Sequence, residues 1–171
     1  VQTMQRKRLS TSQCPIARSL DRVGEWWNIL ILRDAFHGLT RFDQFHRSLG
    51  IAPNMLARRL SALVEEGLLE RRRYCEHPPR DEYLLTGRGR DFWPVLVTLT
   101  EWGNRHFACE GVASQLVDAE TGRPAAVALV DRETGKPIDE AHFRFTAGPA
   151  ADERVRRRFA FVERQQGKTD G

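Results

Sequence analysis

The sequence predicts a mainly helical α+β fold, and three observations carry that expectation. Apolar residues recur at helical spacing through most of the chain up to Ala108, punctuated by Gly and Pro. Two short helical patterns, about Arg41 to Ser48 and from Pro53 onward, are joined by a tight turn at Leu49-Gly50-Ile51. Gly67 then stops the second pattern, and two short strand-like runs follow on either side of Pro78-Pro79. Helix, tight turn, helix and hairpin, in that order, form a winged helix-turn-helix. The complete expectation adds flanking dimerisation helices and a small C-terminal β-rich appendage.

Each element has a local reason. Pro15 can open a helix because its missing N–H is not needed at the first position, which puts Cys14 at the N-cap and Ile16, Leu20 and Val23 on one stripe. Glu25 to Phe36 is apolar nearly all round, through Trp26, Trp27, Ile29, Leu30, Ile31 and Leu32, and so reads as a buried central helix. Thr40 is expected to cap the helix that Arg41 begins, in a capping box with Asp43, and Gly50 to close that helix. Met55, Leu56, Leu60, Leu63 and Val64 form the inner stripe of the helix that Pro53 opens; Asn54, Arg58, Ser61 and Glu65 face away from it, with Arg59 beside them. Leu68 to Cys75 and Glu82 to Leu85 read as paired strands, with His77 to Asp81 as their turn because proline donates no ladder hydrogen bond. Thr86 is expected to cap a long helix to about Phe107 that kinks at Pro94.

The charge is unevenly spread. Residues 1–107 hold 17 Lys/Arg against 12 Asp/Glu, whereas residues 108–171 hold 10 against 11. The basic surplus therefore coincides with the helix-turn-helix and hairpin, as expected for a polyanionic partner. No apolar run approaches the roughly 20 residues of a membrane-spanning helix, and no leader-like apolar stretch follows Gln5-Arg6-Lys7-Arg8. Cys14, Cys75 and Cys109 are too far apart for a disulfide scaffold or zinc site by themselves. A cytoplasmic, nucleoid-associated bacterial protein with free thiols is expected. No Ser/His/Asp set, glycine-rich phosphate loop, metal cluster or Cys-x-x-Cys pair supports an enzyme, and neither cofactor nor metal is expected.

The candidate sites follow from chemistry. Arginine can grip guanine O6 and N7 through two parallel hydrogen bonds. The expected DNA-reading set is Pro53, Asn54, Met55, Arg58, Arg59 and Ser61, with Asn54 suited to adenine or phosphate. In the hairpin, Arg71, Arg73, His77 and Arg80 are the expected contacts, since alternation sends Arg72 to the other face. Thr40 and Arg41 are expected at a phosphate, because helix N-termini favour anions. At its N-cap, the Cys14 thiol meets unpaired N–H groups and the positive end of the helix dipole, which favour the thiolate. The aromatic residues Trp26, Trp27, Phe92, Trp102 and Phe107 either line an effector pocket or simply form core and dimer contacts.

Several linked motifs carry a family resemblance. Cys14-Pro15-Ile16-Ala17, Trp26-Trp27, Arg41-Phe42-Asp43-Gln44-Phe45, Met55-Leu56-Ala57-Arg58-Arg59-Leu60, Gly67-Leu68-Leu69, Pro78-Pro79-Arg80-Asp81-Glu82-Tyr83 and Leu85-Thr86-Gly87-Arg88-Gly89 resemble the HxlR-type regulators of bacterial transcription. The resemblance covers roughly residues 12–108. It implies a MarR-like homodimer whose first and last helices pair the subunits, here through Ile16, Leu20, Phe92, Leu96, Leu99, Trp102 and Phe107. Each subunit would offer one recognition helix to double-stranded DNA, most simply as a repressor on a pseudo-palindromic operator. Some members use the cysteine at the position of Cys14 as a redox switch, so a small molecule or an oxidant is the expected kind of effector. A winged-helix module that binds protein instead of DNA is the rival reading.

Three regions are expected: an arm over 1–12, the winged-helix domain over 13–108 and the appendage over 109–171. The appendage contains a tandem repeat, Ala113 to Pro124 and Ala126 to Pro137. Asp118-x-x-Thr121-Gly122 and Asp131-x-x-Thr134-Gly135 have the spacing of paired Cys-x-x-Cys-Gly zinc knuckles without any cysteine. Two alternatives stand: a metal-free remnant of a zinc-ribbon-like tail, with Asp118 and Asp131 accepting turn N–H groups, or two unrelated turns.

Overall fold

The computed structural model describes residues 12–166. In chain order these form α1 (Pro15–Val23), α2 (Trp26–Phe36), α3 (Phe42–Leu49), α4 (Pro53–Glu65), β1 (Leu69–Glu76), β2 (Pro79–Leu85), α5 (Gly87–Arg90), α6 (Trp93–Phe107) and α7 (Glu153–Gln166). The chain divides into two compact units, one of Arg22–Val127 and one of the segments up to Asp21 and from Ala128 onward. This division departs from the expected boundary at 109, because the first copy of the repeat belongs with the winged helix and the second does not. The expected arm over 1–12 lies, except for Ser12, outside the described residues.

The core of the larger unit forms where α2, α3, α4 and the start of β1 meet. Ile31 and Leu32 of α2, Phe45 of α3 and Leu56, Leu60 and Leu63 of α4 are fully buried, joined by Ile51, Leu68 and Leu69. Burying each such side chain stabilises the fold by about 1.5–3 kcal/mol. The central helix is less enclosed than its composition implies: Trp26 is 63 % exposed and stacks on Trp27, with ring centroids 4.3 Å apart. Gly50 takes the left-handed conformation expected of a helix-ending glycine, at φ 60°.

Four local readings change. The α3 N-cap is Arg41, not Thr40, and Gln44 rather than Asp43 closes the turn: its Oε1 accepts both the Thr40 and the Arg41 N–H at 2.9 Å. The longer amide reaches back where the Asp43 carboxylate, hydrogen-bonded to Arg47, does not. The hairpin turn is shorter than expected, because Pro79 opens β2 and pairs with Glu76 while Arg80 pairs with Cys75. Proline is tolerated at the first residue of a strand, where its missing N–H is not called on. Tyr74 is the extra residue of a bulge between Arg73 and Cys75. The expected kinked helix is broken instead: α5 ends at Arg90, and Pro94 sits in the first turn of α6, where its absent N–H costs nothing.

Thr86 ties hairpin to helix as expected of a cap. Its hydroxyl accepts the Gly89 N–H at 3.0 Å and donates to the Gly67 carbonyl at 2.7 Å. Gly89 packs so closely that a Cβ there would lie 2.1 Å from the Leu68 carbonyl oxygen.

The region after α6 is built more from turns than from strands. Each repeat closes with one bridge, Val117 to Pro124 in the first copy and Val130 to Pro137 in the second. The β-rich appendage is thus limited to these bridges, since Gly122 and Gly135, both at φ 69°, turn the chain back almost at once. Within the charged end that the sequence left unassigned, Glu153–Gln166 forms α7.

Gly89→Ala is expected to lower stability by roughly 1–3 kcal/mol, the range for forcing atoms into a filled site. Urea unfolding followed by circular dichroism measures it, and Gly103→Ala, where a Cβ meets open space, is the control.

Candidate nucleic-acid interface

The outward face of α4 is set by its inward one. Leu56, Leu60 and Leu63 are buried, so Pro53, Asn54, Ala57, Arg58, Ser61 and Glu65 are exposed. Among the described residues Arg58 has no ion-pair partner. Four of the expected DNA-reading residues therefore stand where expected: Pro53, Asn54, Arg58 and Ser61. Two do not. Met55 is half-buried against the core. Arg59 turns back to Glu25, the residue before α2, with Nη2 to Oε2 at 3.1 Å and its side chain only 14 % exposed. A single step along the helix, about 100° of rotation, separates the free arginine from the structural one. Glu25 escapes a reading of the sequence because it precedes α2, with all of α3 between it and Arg59.

The hairpin is basic but largely neutralised from within. The Nε of Arg71 and of Arg73 each donate to one oxygen of Asp81, at 2.7 and 3.1 Å. On the other face Arg72 donates to Glu82 at 2.9 Å. These guanidinium groups, Arg73 first, hold the Asp81 carboxyl below its usual range. Arg80 and His77 stand exposed at the tip, and among the described residues Arg80 has no ion pair. Arg41 is exposed, with its guanidinium 4.6 Å from the centre of the Tyr74 ring, a cation–π contact that aims it across the hairpin. Thr40 is committed to the backbone, its carbonyl accepting the Tyr83 N–H at 2.7 Å.

The expected dimer residues split into two kinds. Ile16, Leu20, Leu99, Trp102 and Phe107 are exposed, at 43–65 %. Leu96, 8 % exposed, and Phe92, half-buried against the core, instead hold α6 to the rest of its own chain. Between α2 and α6 lies a cleft of about 200 Å³, lined by Ile29, Leu30, Phe36, Trp93, Leu96 and Leu116 among others. Trp26, Trp27, Phe92, Trp102 and Phe107, the aromatic residues that suggested an effector pocket, do not line it.

In the smaller unit, Cys14 occupies the predicted position before α1. A hydrogen bond from the Ala17 N–H, then contact with Arg158, holds its thiol below the usual range against an opposing effect of desolvation. Arg158 belongs to α7, at the other end of the chain and beyond any sequence signal. Asp131 accepts the Thr134 hydroxyl at 2.5 Å and the Glu133 N–H at 3.4 Å. In the larger unit Asp118 accepts the Glu120 and Thr121 N–H groups at 2.9 and 2.7 Å. Asp139 makes a third such turn, accepting the His142 N–H at 2.9 Å, that the repeat did not reveal. No helix among the described residues is long and apolar enough to cross a membrane.

Comparison with known proteins agrees with this geometry. Residues 22–110 match the model of the HxlR-like helix-turn-helix family. The chain belongs to that family. It is 47 % identical over 91 residues to an HTH-type transcriptional regulator of Mycobacterium tuberculosis, covering 53 % of this chain and 58 % of that protein; the chain thus spans little more than half the length of that relative. A solved Pseudomonas aeruginosa protein described as a candidate transcription factor is 53 % identical with a TM-score of 0.62, covering 85 % of this chain and 99 % of its own. That coverage extends well past the family region, so the two share part of the appendage. The reduced form of the redox regulator HypR is 33 % identical with a TM-score of 0.51, covering 54 % of this chain and 95 % of its own. The HxlR-like helix-turn-helix is thus set in a winged-helix fold.

Two outcomes are expected from these contacts. Arg59→Ala, which removes the largely buried ion pair to Glu25, should cost roughly 1–3 kcal/mol of stability in a urea titration, whereas Arg58→Ala should leave the unfolding midpoint within about 0.5 kcal/mol of wild type. Because its thiol is shifted down, Cys14 should be thiolate, and so alkylated by iodoacetamide, at lower pH than an ordinary cysteine. Arg158→Ala should move that profile back up, as read by peptide mass spectrometry.

Proposed function

We propose that this HxlR-like regulator binds DNA sequence-specifically as a homodimer on a pseudo-palindromic operator and acts as a repressor in the cytoplasm. The observation that carries the reading is the outward face of α4: Asn54, Arg58 and Ser61 exposed, with Arg58 uncompensated among the described residues. An unpaired arginine on a helix that follows a tight turn is suited to the major groove. The exposed Arg80 and His77 at the hairpin tip suit the neighbouring backbone or minor groove, and Arg41 suits a phosphate. The exposed apolar residues of α1 and of α6 supply surface for a subunit contact. A symmetric dimer would place two recognition helices about 34 Å apart, one turn of duplex.

A second reading rests on Cys14. Its helix-terminal position, its arginine partner and the likeness to HypR support a regulator whose DNA affinity responds to thiol oxidation.

Site selection from random duplexes, with reduced and with oxidised protein, tests both. A two-fold-related motif is expected from the reduced protein, and its loss on oxidation would favour the redox reading. No enriched motif in either state would favour a protein-interaction module instead. On the selected site Arg58→Ala should cost about 1–3 kcal/mol and relax preference at one base pair. A loss equal across sequences would assign Arg58 to phosphate.

A further inference from the structure

The hairpin carries its own anion on the side where its arginines are most numerous. Residues paired across the sheet share a face, and the pairs Leu69–Leu85, Arg71–Tyr83 and Arg73–Asp81 lie along one of them. Leu69 is buried and Tyr83 and Leu85 pack on the core. The Arg71, Arg73 and Asp81 side chains therefore continue the helix-packed face of the hairpin outward past the edge of the core. There Asp81 is 16 % exposed while Arg71 and Arg73 are 55 % and 43 % exposed. Both carboxylate oxygens are occupied, one by each Nε.

We propose that Asp81 is an affinity-setting residue of the DNA interface, an internal competitor that holds Arg71 and Arg73 against itself and so weakens their grip on the phosphate backbone. The proposal rests on the DNA-binding reading above. A phosphate approaching this face meets two guanidinium charges and the Asp81 carboxylate, with the exposed Glu76 carboxylate 3.9 Å from the outer nitrogen of Arg73. To give a phosphate its Nε edge, either arginine must release an oxygen of a carboxylate that has little water to replace it. The carboxylate also repels the phosphate directly. Arg80, which shares no carboxylate among the described residues, carries no such restraint. Backbone contacts bear no sequence information, so the restraint acts alike on every duplex. Arg72 and Glu82 form the same kind of pair on the opposite face, at 2.9 Å, so neutralisation extends to both sides of β1 and leaves the tip as the hairpin's uncompensated charge.

Asp81→Asn removes the charge and nearly keeps the shape. Fluorescence anisotropy with the selected site and with a scrambled duplex of equal length tests the proposal across a salt series. D81N is expected to tighten binding to both duplexes about three- to tenfold near physiological salt, and to steepen the dependence of log Kd on log salt by about one. Replacing Arg71 and Arg73 by Ala is expected to cost more affinity in the D81N background than in wild type, because only there are they free to grip phosphate. Unchanged or weaker binding by a D81N protein with wild-type circular dichroism overturns the proposal and makes Asp81 a residue that orients the arginines. Absence of salt-dependent DNA binding by the wild-type protein overturns the DNA reading, and the proposal with it.

Discussion

The rotation of α4 about its own axis is the constraint on which the interface depends. Leu56, Leu60 and Leu63 are sunk completely among Ile31, Leu32 and Phe45. A turn of the helix by even one residue would lift a leucine into water and drive a polar group inward. The packing thus decides which of two adjacent arginines looks out, and the Glu25–Arg59 pair is added to an orientation already fixed. Gly67, Leu68 and Thr86 transmit the same constraint to the hairpin. The Thr86 hydroxyl holds the Gly67 carbonyl, and the Gly89 backbone lies against that of Leu68. Recognition helix and wing are in this way referenced to one small apolar core.

Charge is organised less generously than the composition implies. The chain up to Phe107 carries a surplus of arginine, but much of it is spent on protein carboxylates: Arg22 on Glu66, Arg59 on Glu25, Arg72 on Glu82, and Arg71 and Arg73 on Asp81. Except for the largely buried Arg59–Glu25 pair, these partly exposed pairs add little to stability. Their larger effect is on the field the protein presents, because they leave Arg58, Arg41, Arg80, Arg88 and Arg90 as exposed arginines without an ion pair among the described residues.

Much of the winged helix was legible because its signals are local. Pro15, Pro53, Gly50 and Thr86 each mark an element boundary by backbone chemistry alone, and the leucine stripe of α4 gives its buried face. What failed depended on distance or on competition between neighbours. Arg58 and Arg59 look alike until Glu25 is placed. The choice between Asp43 and Gln44 at the α3 cap is decided by Arg47, which takes the aspartate. Pro94 reads as a kink unless one sees that a new helix starts just before it. Of the candidate site, the exposed residues of α4 and the hairpin tip were readable from the sequence. Asp81 as a partner of two arginines needed the strand register, and the bulge at Tyr74 shifts that register by a residue.

The two repeats close with matching hydrogen bonds. In the first, the Asp118 N–H donates to the Arg123 carbonyl and the Ala125 N–H to that of Leu116; in the second, Asp131 N–H donates to Lys136 and Ile138 N–H to Leu129. Each partner has moved by the length of one repeat and the pattern is unchanged. A unit that satisfies its own backbone in this way makes few demands on what precedes or follows it. The two copies thus share a backbone pattern without sharing a setting: the first also lines the α2–α6 cleft through Leu116, whereas most of the second falls in the other unit, so the turn is written into the repeat and not imposed by what packs on it.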